Sequence, residues 1–496
     1  MSDFLAGAGV LAAASASASA ILLPAGRARS AAMLVAIALF PILILGDQWH
    51  THQIVDLRHN TGRIVELLAI GAVAVAALAY IFRRWPILLP LAIVAALPFR
   101  VPLHAGGDTA NLLVPLYLVI AGGVLAAAVR DWRVPPAPRV RAAATPGGVA
   151  AVWLPRVLAA VVVLYGLQTL YSEDFSKGLQ NMCFFLVPFT VAFALLQDVE
   201  WDTRLLKLVL CVVVAEAVAF VLIGSVEYAT SSLFWNDQVI RSNEFHTYFR
   251  VNSVFWDPNV YGRYLALVLV VVTTALLWAD DRRDFWLLAG TVLVLWIGLA
   301  QTFSQSSFIA LLAGLAVLAA IRWSWRWTLA AVLVGVVGAL LVVILIGGKG
   351  FSLDRFNIDT SGRADLVSGG VELFGERPLW GYGSGSFQQA YRDHRANKHV
   401  PVSISHTEPV TVAAEQGLVG LALYVALIVV ALWAMAAGLR GRRAGRAAVL
   451  AAFVALLVHT MAYAGFFEDP ITWVLLAVGA ALASTPFAPP PVRDAA

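Results

Sequence analysis

Runs of about 17–25 almost purely apolar residues recur from one end of this chain to the other, and no water-soluble core accommodates so many of them. A segment inside a bilayer must satisfy its own backbone hydrogen bonds, so each run reads as a membrane-crossing α-helix. Composition agrees. The chain is 60% hydrophobic and only 13% charged, whereas soluble domains carry about a quarter charged residues. The expected fold is an all-α polytopic membrane protein of about 12–15 transmembrane helices with one large, partly helical extracytoplasmic loop. Fifteen spans are expected: 5–23, 31–47, 64–82, 85–99, 110–130, 152–171, 179–197, 204–226, 259–279, 285–302, 306–321, 326–346, 415–437, 446–465 and 471–485. The first, rich in Ala and Ser, also reads as a signal-like segment, and 85–99 and 306–321 are short.

Alternating the loops collects twenty of the 34 basic residues on one side, among them Arg27, Arg29, Arg130, Arg204, Arg322, Arg326 and Arg446. Basic loops stay in the cytoplasm, so that side is inside. Segments 227–258, 301–307, 347–414 and 466–470 then lie outside. Eight of the nine histidines (His50, His52, His59, His104, His246, His394, His399 and His406) fall in outer loops, and His459 lies in the outer half of its span. The sequence pI of about 9.1 therefore reflects topology rather than nucleic-acid binding. Three parts are expected: a helix bundle 1–346 that includes the outer loop 227–258, a large extracytoplasmic catalytic loop 347–414, and three C-terminal spans in 415–496. Residues 134–149 form a Pro/Ala/Gly-rich inner linker. Cys183 and Cys211 lie inside apolar runs and read as packing residues, with no disulfide or zinc framework. Glu216, deep in a span, marks a functional hypothesis by default, against packing as a neutral or paired carboxyl.

The polar island is 347–420. Thr360 or Ser361 is placed to cap a helix beginning near Arg363, with Leu366, Val367, Val371 and Phe374 as its apolar stripe. A cation in a helix's first turn opposes the macrodipole, so Arg363 there suits an anionic ligand, with a solvated or salt-bridged Arg as the alternative and the better reading for an arginine standing alone. Gly381, Gly383 and Gly385 form a turn opening a second helix, which suits either phosphate on backbone amides or a plain helix–helix turn. His406 stands immediately before a span, at the membrane–water boundary. An imidazole titrating near neutrality is placed there to take a proton from a hydroxyl, with Glu408 and Glu415 as orienters; the alternative is interfacial hydrogen bonding. No P-loop, HExxH or other metal-ligand spacing occurs, so neither a metal nor another cofactor is expected.

Together these pieces resemble the family of O-antigen ligases, O-antigen polymerases and protein O-oligosaccharyltransferases. The likeness rests on Pro378-Leu379-Trp380-Gly381-Tyr382-Gly383 through Phe387 after an Arg-led helix, and on His406 followed by Glu415-Gln416-Gly417-Leu418-Val419-Gly420. It also rests on Arg250 through Phe255-Trp256-Asp257-Pro258-Asn259, and on a large outer loop followed by three spans. It covers about 240–470. The resemblance implies an inverting, metal-independent glycosyltransferase of the bacterial inner membrane, multi-pass, with its active site on the periplasmic face. The donor is a glycan on a polyprenyl diphosphate, and the acceptor is a glycan, lipid or protein. It further implies His406 as general base and Arg363 as catalytic. Arg250 and Arg363 hold the diphosphate, with Tyr382, Gly383 and Glu408 at the substrate, and Glu468 or Asp469 as the late acidic residue. The family's Ser-Arg is Ser304-Gln305 here, with Arg263 or Arg241 as the replacement cation.

Two other classes remain on the sequence: a transporter or flippase of a lipid-linked or anionic substrate, and a non-catalytic scaffold. A transporter requires polar residues along a path through the whole bilayer, and the inner halves of the spans offer few.

Overall fold

The structure is a computed structural model. It describes residues 3–49, 61–105, 108–133, 148–234, 239–240, 243, 248–347, 363–394, 404–437, 439 and 444–484. His50, His52, His59, His246, His399, Arg241, the caps Thr360 and Ser361, and most of the 134–149 linker lie outside the described residues.

In chain order the helices are α1 (Asp3–Leu22), α2 (Arg27–Asp47), α3 (Thr61–Arg84), α4 (Leu88–Ala96), α5 (Val114–Arg133), α6 (Gly148–Thr169) and α7 (Phe175–Asn181). A π turn, Met182–Leu186, joins α7 to α8 (Val187–Leu196). Then come α9 (Thr203–Thr230), α10 (Pro258–Leu277), α11 (Arg282–Gln301) and α12 (Gln305–Ala319). A second π turn, Ala320–Ser324, leads into α13 (Trp325–Gly347). The remainder are α14 (Arg363–Glu376), α15 (Phe387–His394), α16 (Glu408–Ala436), α17 (Ala444–Thr460) and α18 (Pro470–Ser484). Among the described residues eleven helices are long and apolar enough to cross a membrane, and α17 and α18 are shorter apolar helices. The chain is thus an all-α polytopic membrane protein, as its apolar runs dictate.

Three expectations change. Span 85–99 is only the nine-residue α4, too short to cross at 1.5 Å per residue. It runs instead into an antiparallel hairpin, β1 (Val101–Ala105) with β2 (Asp108–Leu112), absent from the expected pattern. Pro98 stops the helix, and the strand pairing takes up backbone groups that no helix supplies. Second, 306–321 and 326–346 are not separated by a loop. Ala-Ile-Arg-Trp-Ser contains no Gly or Pro, so the helix continues through the π turn. There Arg322 lies 6.0 Å over the Trp278 ring and Arg326 5.6 Å over Trp325. Third, Cys183 is buried but Cys211 is exposed. The apolar run around Cys211 turns that side of α9 outward.

The bundle has two apolar centres. One gathers α1, α2, α5, α6, α8, α16, α18 and one face of α17 around Phe189, Phe193, Phe453 and Trp473. The other gathers α9 to α12 and α17 around Tyr261, Leu265 and Leu299. At one end Arg29 pairs with Asp198, Ser30 donates to Asp131 at 2.6 Å, and Arg446 donates to the Leu482 carbonyl. Arg29, Arg130 and Arg446 belong to the basic set read as facing inward. The opposite end carries the start of α10, the 302–304 turn and the start of α16, and it lies where the two centres meet.

Candidate functional site at the seam of the bundle

Asp257-Pro258-Asn259 opens α10. The Asp257 side chain accepts from the amides of Asn259 at 2.6 Å and Val260 at 3.4 Å, and Pro258 sits where its missing N–H costs nothing. Just before it, residues 250–253 are tied down. Glu227, fully buried at the end of α9, accepts from the Asn252 and Ser253 amides at 3.2 and 2.7 Å. Ser253 Oγ donates to the Phe220 carbonyl at 2.8 Å. Arg250 is thereby aimed across the seam. Its Nε donates to the Thr302 carbonyl and its Nη2 to Asn259 Oδ1, both at 3.0 Å. Ser304 Oγ donates to the same Asn259 oxygen at 3.0 Å and lies 2.8 Å from Ser307 Oγ. Ser306 and Ser307 face His459 Nε2 at 3.2 and 3.3 Å. A buried polar chain therefore runs from Arg250 to the last turn of α17.

Arg263, one turn into α10, carries an ion pair to Asp469 at 2.9 Å. The replacement cation considered for Ser304-Gln305 thus lies in the site region, with its charge already matched by a carboxylate.

Arg363 is the first residue of α14. The packed face of that helix is Leu366, Gly369, Gly370 and Leu373 rather than the Leu366–Val367–Val371–Phe374 stripe, and Val371 is exposed. Any side chain at Gly369 would meet the Tyr391 ring, and one at Gly370 would meet Val410 and Phe387. The missing side chains rotate the contact face toward the glycines. Among the described residues Arg363 has no ion-pair partner. Its charge acts on both Arg250 and His406.

His406 adopts φ 60°, a left-handed backbone that few non-glycine residues take. The Ala464 amide donates to its carbonyl at 3.1 Å, and the Thr407 hydroxyl donates to the Met461 carbonyl at 3.1 Å. Among the described residues, three of the four non-glycine positions with positive φ are Ser253, Phe303 and His406, one in each loop that builds this site. Such strain persists only where the surroundings over-determine it. Burial pushes the His406 imidazole below its ordinary pKa, Arg363 pushes it further down, and Asp257 opposes both. Arg250 is likewise held below its usual value by burial, with Asp257 offsetting and Arg363 adding to the effect.

The remaining predicted residues are engaged with other partners. Gly381, Tyr382 and Gly383 donate their amides to the carbonyls of Arg377, Ala414 and Glu415. The Gly385 and Phe387 amides go to the Glu415 carboxylate at 2.8 and 3.2 Å. These groups are committed to the protein, so the turn is a clasp on α16 and not a ring of open amides for phosphate. Tyr382 donates its hydroxyl to Glu376 at 2.5 Å beneath Arg377. Glu408, read as an orienter of His406, is engaged by the 465–466 backbone. It accepts from Gly465 and Phe466 at 2.7 and 3.1 Å. Glu468 lines a cavity of about 50 Å³ with Glu408, Glu415, Lys177, Tyr165 and Asn181. His394 lies 3.3 Å from Glu376, and Glu216 accepts from Tyr264 at 3.1 Å. Among the described residues no group of three or more His, Cys, Asp or Glu is arranged to hold a metal ion.

Two participants were named in the sequence only as motif positions, and a third was not foreseen. Asn259 and Ser304 carry the polar chain, and Tyr463 packs between His406 and His459 with ring centroids 5.9 and 6.0 Å away. Asp257 was legible as a helix cap; Tyr463 had no sequence signal, because only folding brings its loop to His406.

A helical bundle of membrane-crossing length with a basic, half-buried polar site at one end defines a multi-pass membrane protein with a site at the bundle's rim. Residues 290–425 match the family model described as O-antigen ligase. That match supports the O-antigen ligase family and, with it, a membrane glycosyltransferase kind of function. It includes Arg363, the glycine turn and His406, and ends before Asp469. No curated protein matches the chain.

Proposed function

We propose that the protein transfers a glycan from a polyprenyl diphosphate to an acceptor hydroxyl on the periplasmic face of a bacterial inner membrane. The acceptor, a glycan, lipid or protein, presents its O–H to His406. The proton passes to the imidazole as the oxygen attacks the anomeric carbon, and the bond from that carbon to the diphosphate oxygen breaks with inversion. The electron pair leaves on the diphosphate, whose charge Arg363 and Arg250 hold. The observation that carries this reading is the joint action of Arg363 on Arg250 and His406, with Arg363 lacking an ion-pair partner among the described residues. A cation left unmatched beside a second cation suits a dianionic group.

A histidine kept neutral by burial and a neighbouring cation is available as a base at neutral pH. We assign 347–414 as the catalytic loop and 415–496 as the three C-terminal transmembrane helices. Glu468 and Asp469 then act at the edge of the site, Asp469 through Arg263. Tyr382, Gly383 and Glu408 hold the loop in place and leave substrate contact to the trio. The test is transfer from a polyprenyl-diphosphate glycan by purified protein. His406→Ala and Arg363→Ala abolish it with insertion intact, and full activity in either variant overturns the assignment.

A further inference from the structure

We infer that Asn259 and Ser304, backed by Ser307 and His459, are positioning residues for Arg250. They fix one edge of its guanidinium with uncharged acceptors and leave the other edge for the donor's diphosphate. The inference rests on the proposed role of Arg250 in holding that diphosphate.

A planar guanidinium offers its N–H groups in a fixed fork with two such edges. Nε and Nη2 make one edge of Arg250, and both are engaged, by the Thr302 carbonyl and Asn259 Oδ1 at 3.0 Å each. Nη1 and the second hydrogen of Nη2 make the other, which no hydrogen bond or ion pair occupies among the described residues. The Thr302 carbonyl is held by its turn, where the Thr302 and Phe303 amides donate to the Leu299 and Ala300 carbonyls at 3.2 Å. Asn259 is held by a count of hydrogens. Ser304 Oγ donates its single hydrogen to the same Oδ1 at 3.0 Å, so a turned amide would set its NH2 against two donors. Ser304 has no hydrogen left for its 2.8 Å contact with Ser307, and Ser307 therefore donates there. Ser307 in turn accepts from His459 Nε2 at 3.3 Å, which places the imidazole proton on that nitrogen. Asn259, Ser304, Ser307 and His459 are all buried, so bulk water does not compete for these bonds.

The choice of acceptors sets the charge. Arg263, one turn beyond Asn259 on α10, is paired with Asp469 at 2.9 Å, and its charge is matched. Arg250 is held instead by a carbonyl and a carboxamide, neither of them charged. Its position is thus fixed without neutralisation. The remaining edge can grip a phosphate group with two parallel N–H···O bonds. Ordering a long, half-buried side chain before the ligand arrives removes that ordering cost from binding.

The experiment measures equilibrium binding of radiolabelled polyprenyl diphosphate, carrying no glycan, to the full-length protein in nanodiscs. The proteins are the wild type, Arg250→Ala, Asn259→Ala, Asn259→Asp, Ser304→Ala and the double variant Arg250→Ala/Ser304→Ala. Asn259→Ala weakens binding about tenfold, and Ser304→Ala, one link further out, about threefold. Asn259→Asp keeps the acceptor but matches the charge, as Asp469 does for Arg263, and weakens binding at least as much as Asn259→Ala. Without Arg250, Ser304→Ala has no further effect, because its action passes through that side chain; a merely structural loss would persist. Wild-type affinity in Asn259→Ala or Asn259→Asp, or an undiminished Ser304→Ala effect in the double variant, overturns the relay. Wild-type affinity in Arg250→Ala overturns the diphosphate role of Arg250 itself, which separates the two failures. If Asn259→Ala does not fold, the isosteric Asn259→Asp and the Ser304 cycle decide.

Discussion

Arg263 and Asp469 meet at 2.9 Å with each side chain only 5% exposed, so the start of α18 is held to α10 by opposite charges withdrawn from water. Asp469 also caps α18 through the Ile471 amide at 2.8 Å. The pair joins the two apolar centres directly beneath the site. Removing one member of a buried pair strands the other, at a cost of about 3–5 kcal/mol. Asp469→Asn and Arg263→Met each lower stability by that order, and the double variant Arg263→Met/Asp469→Asn loses less than the sum of the two. Chemical unfolding in detergent measures the cycle, and strictly additive losses would show that the charges do not act as a pair.

Gly417 has φ 64° and ψ −162° inside α16, a region essentially closed to residues with a side chain. The break frees the Leu418 and Val419 amides for the Pro378 and Leu379 carbonyls, and a Cβ at 417 would meet the Leu379 carbonyl. Gly417→Ala therefore loosens the glycine clasp, with a cost of more than about 1–3 kcal/mol. Limited proteolysis across 376–387 reads the loss. Wild-type resistance would refute it.

Glu415 accepts from two amides of the clasp. Glu415→Ala leaves both N–H groups unmatched at about 1–3 kcal/mol each, while Glu415→Gln keeps an acceptor and retains most of the stability. Melting of the purified variants distinguishes them, and equal melting of Ala and Gln would remove the clasp's dependence on this side chain.

Burial and Arg363 hold His406 below the usual imidazole value of about 6.5. The neutral ring is the working form, so activity persists above its pKa and falls as pH drops through it. The acid limb of kcat/KM accordingly lies below about pH 6.5. Replacing Arg363 by Gln removes one depressing charge and moves the His406 titration, followed by NMR of the imidazole, upward. A downward move would contradict the sign.

Transfer is expected to continue after exhaustive chelation, because the leaving diphosphate is held by guanidinium forks that need no ion. Loss of activity with EDTA that a divalent metal restores would count against the proposal.

Much of the architecture was legible because a bilayer imposes a length and an apolar composition that can be read residue by residue. The errors have local causes. Pro98 truncates a span into α4 and the hairpin follows; Ala-Ile-Arg-Trp-Ser lacks a helix breaker, so two spans run together. Gly369 and Gly370 turned the packed face of α14 away from its apolar stripe, because a glycine face admits a neighbour's aromatic ring more closely than a valine face does.

The sequence alone determined that this is a helical membrane protein, since a bilayer dictates the length and apolar composition of its spans; Arg250, Arg363 and His406 were marked by the family resemblance. Tertiary structure alone decided which polar groups were already taken. The glycine turn, Glu408 and Asp469 all had chemical promise on paper, and each proved to be matched by a partner distant in the chain. Tyr463, silent in the sequence, gained its place because packing of the 461–469 loop brings an aromatic ring between two histidines. Hydrogen-bond and ion-pair satisfaction is a property of neighbours in space, and the order of residues does not specify those neighbours.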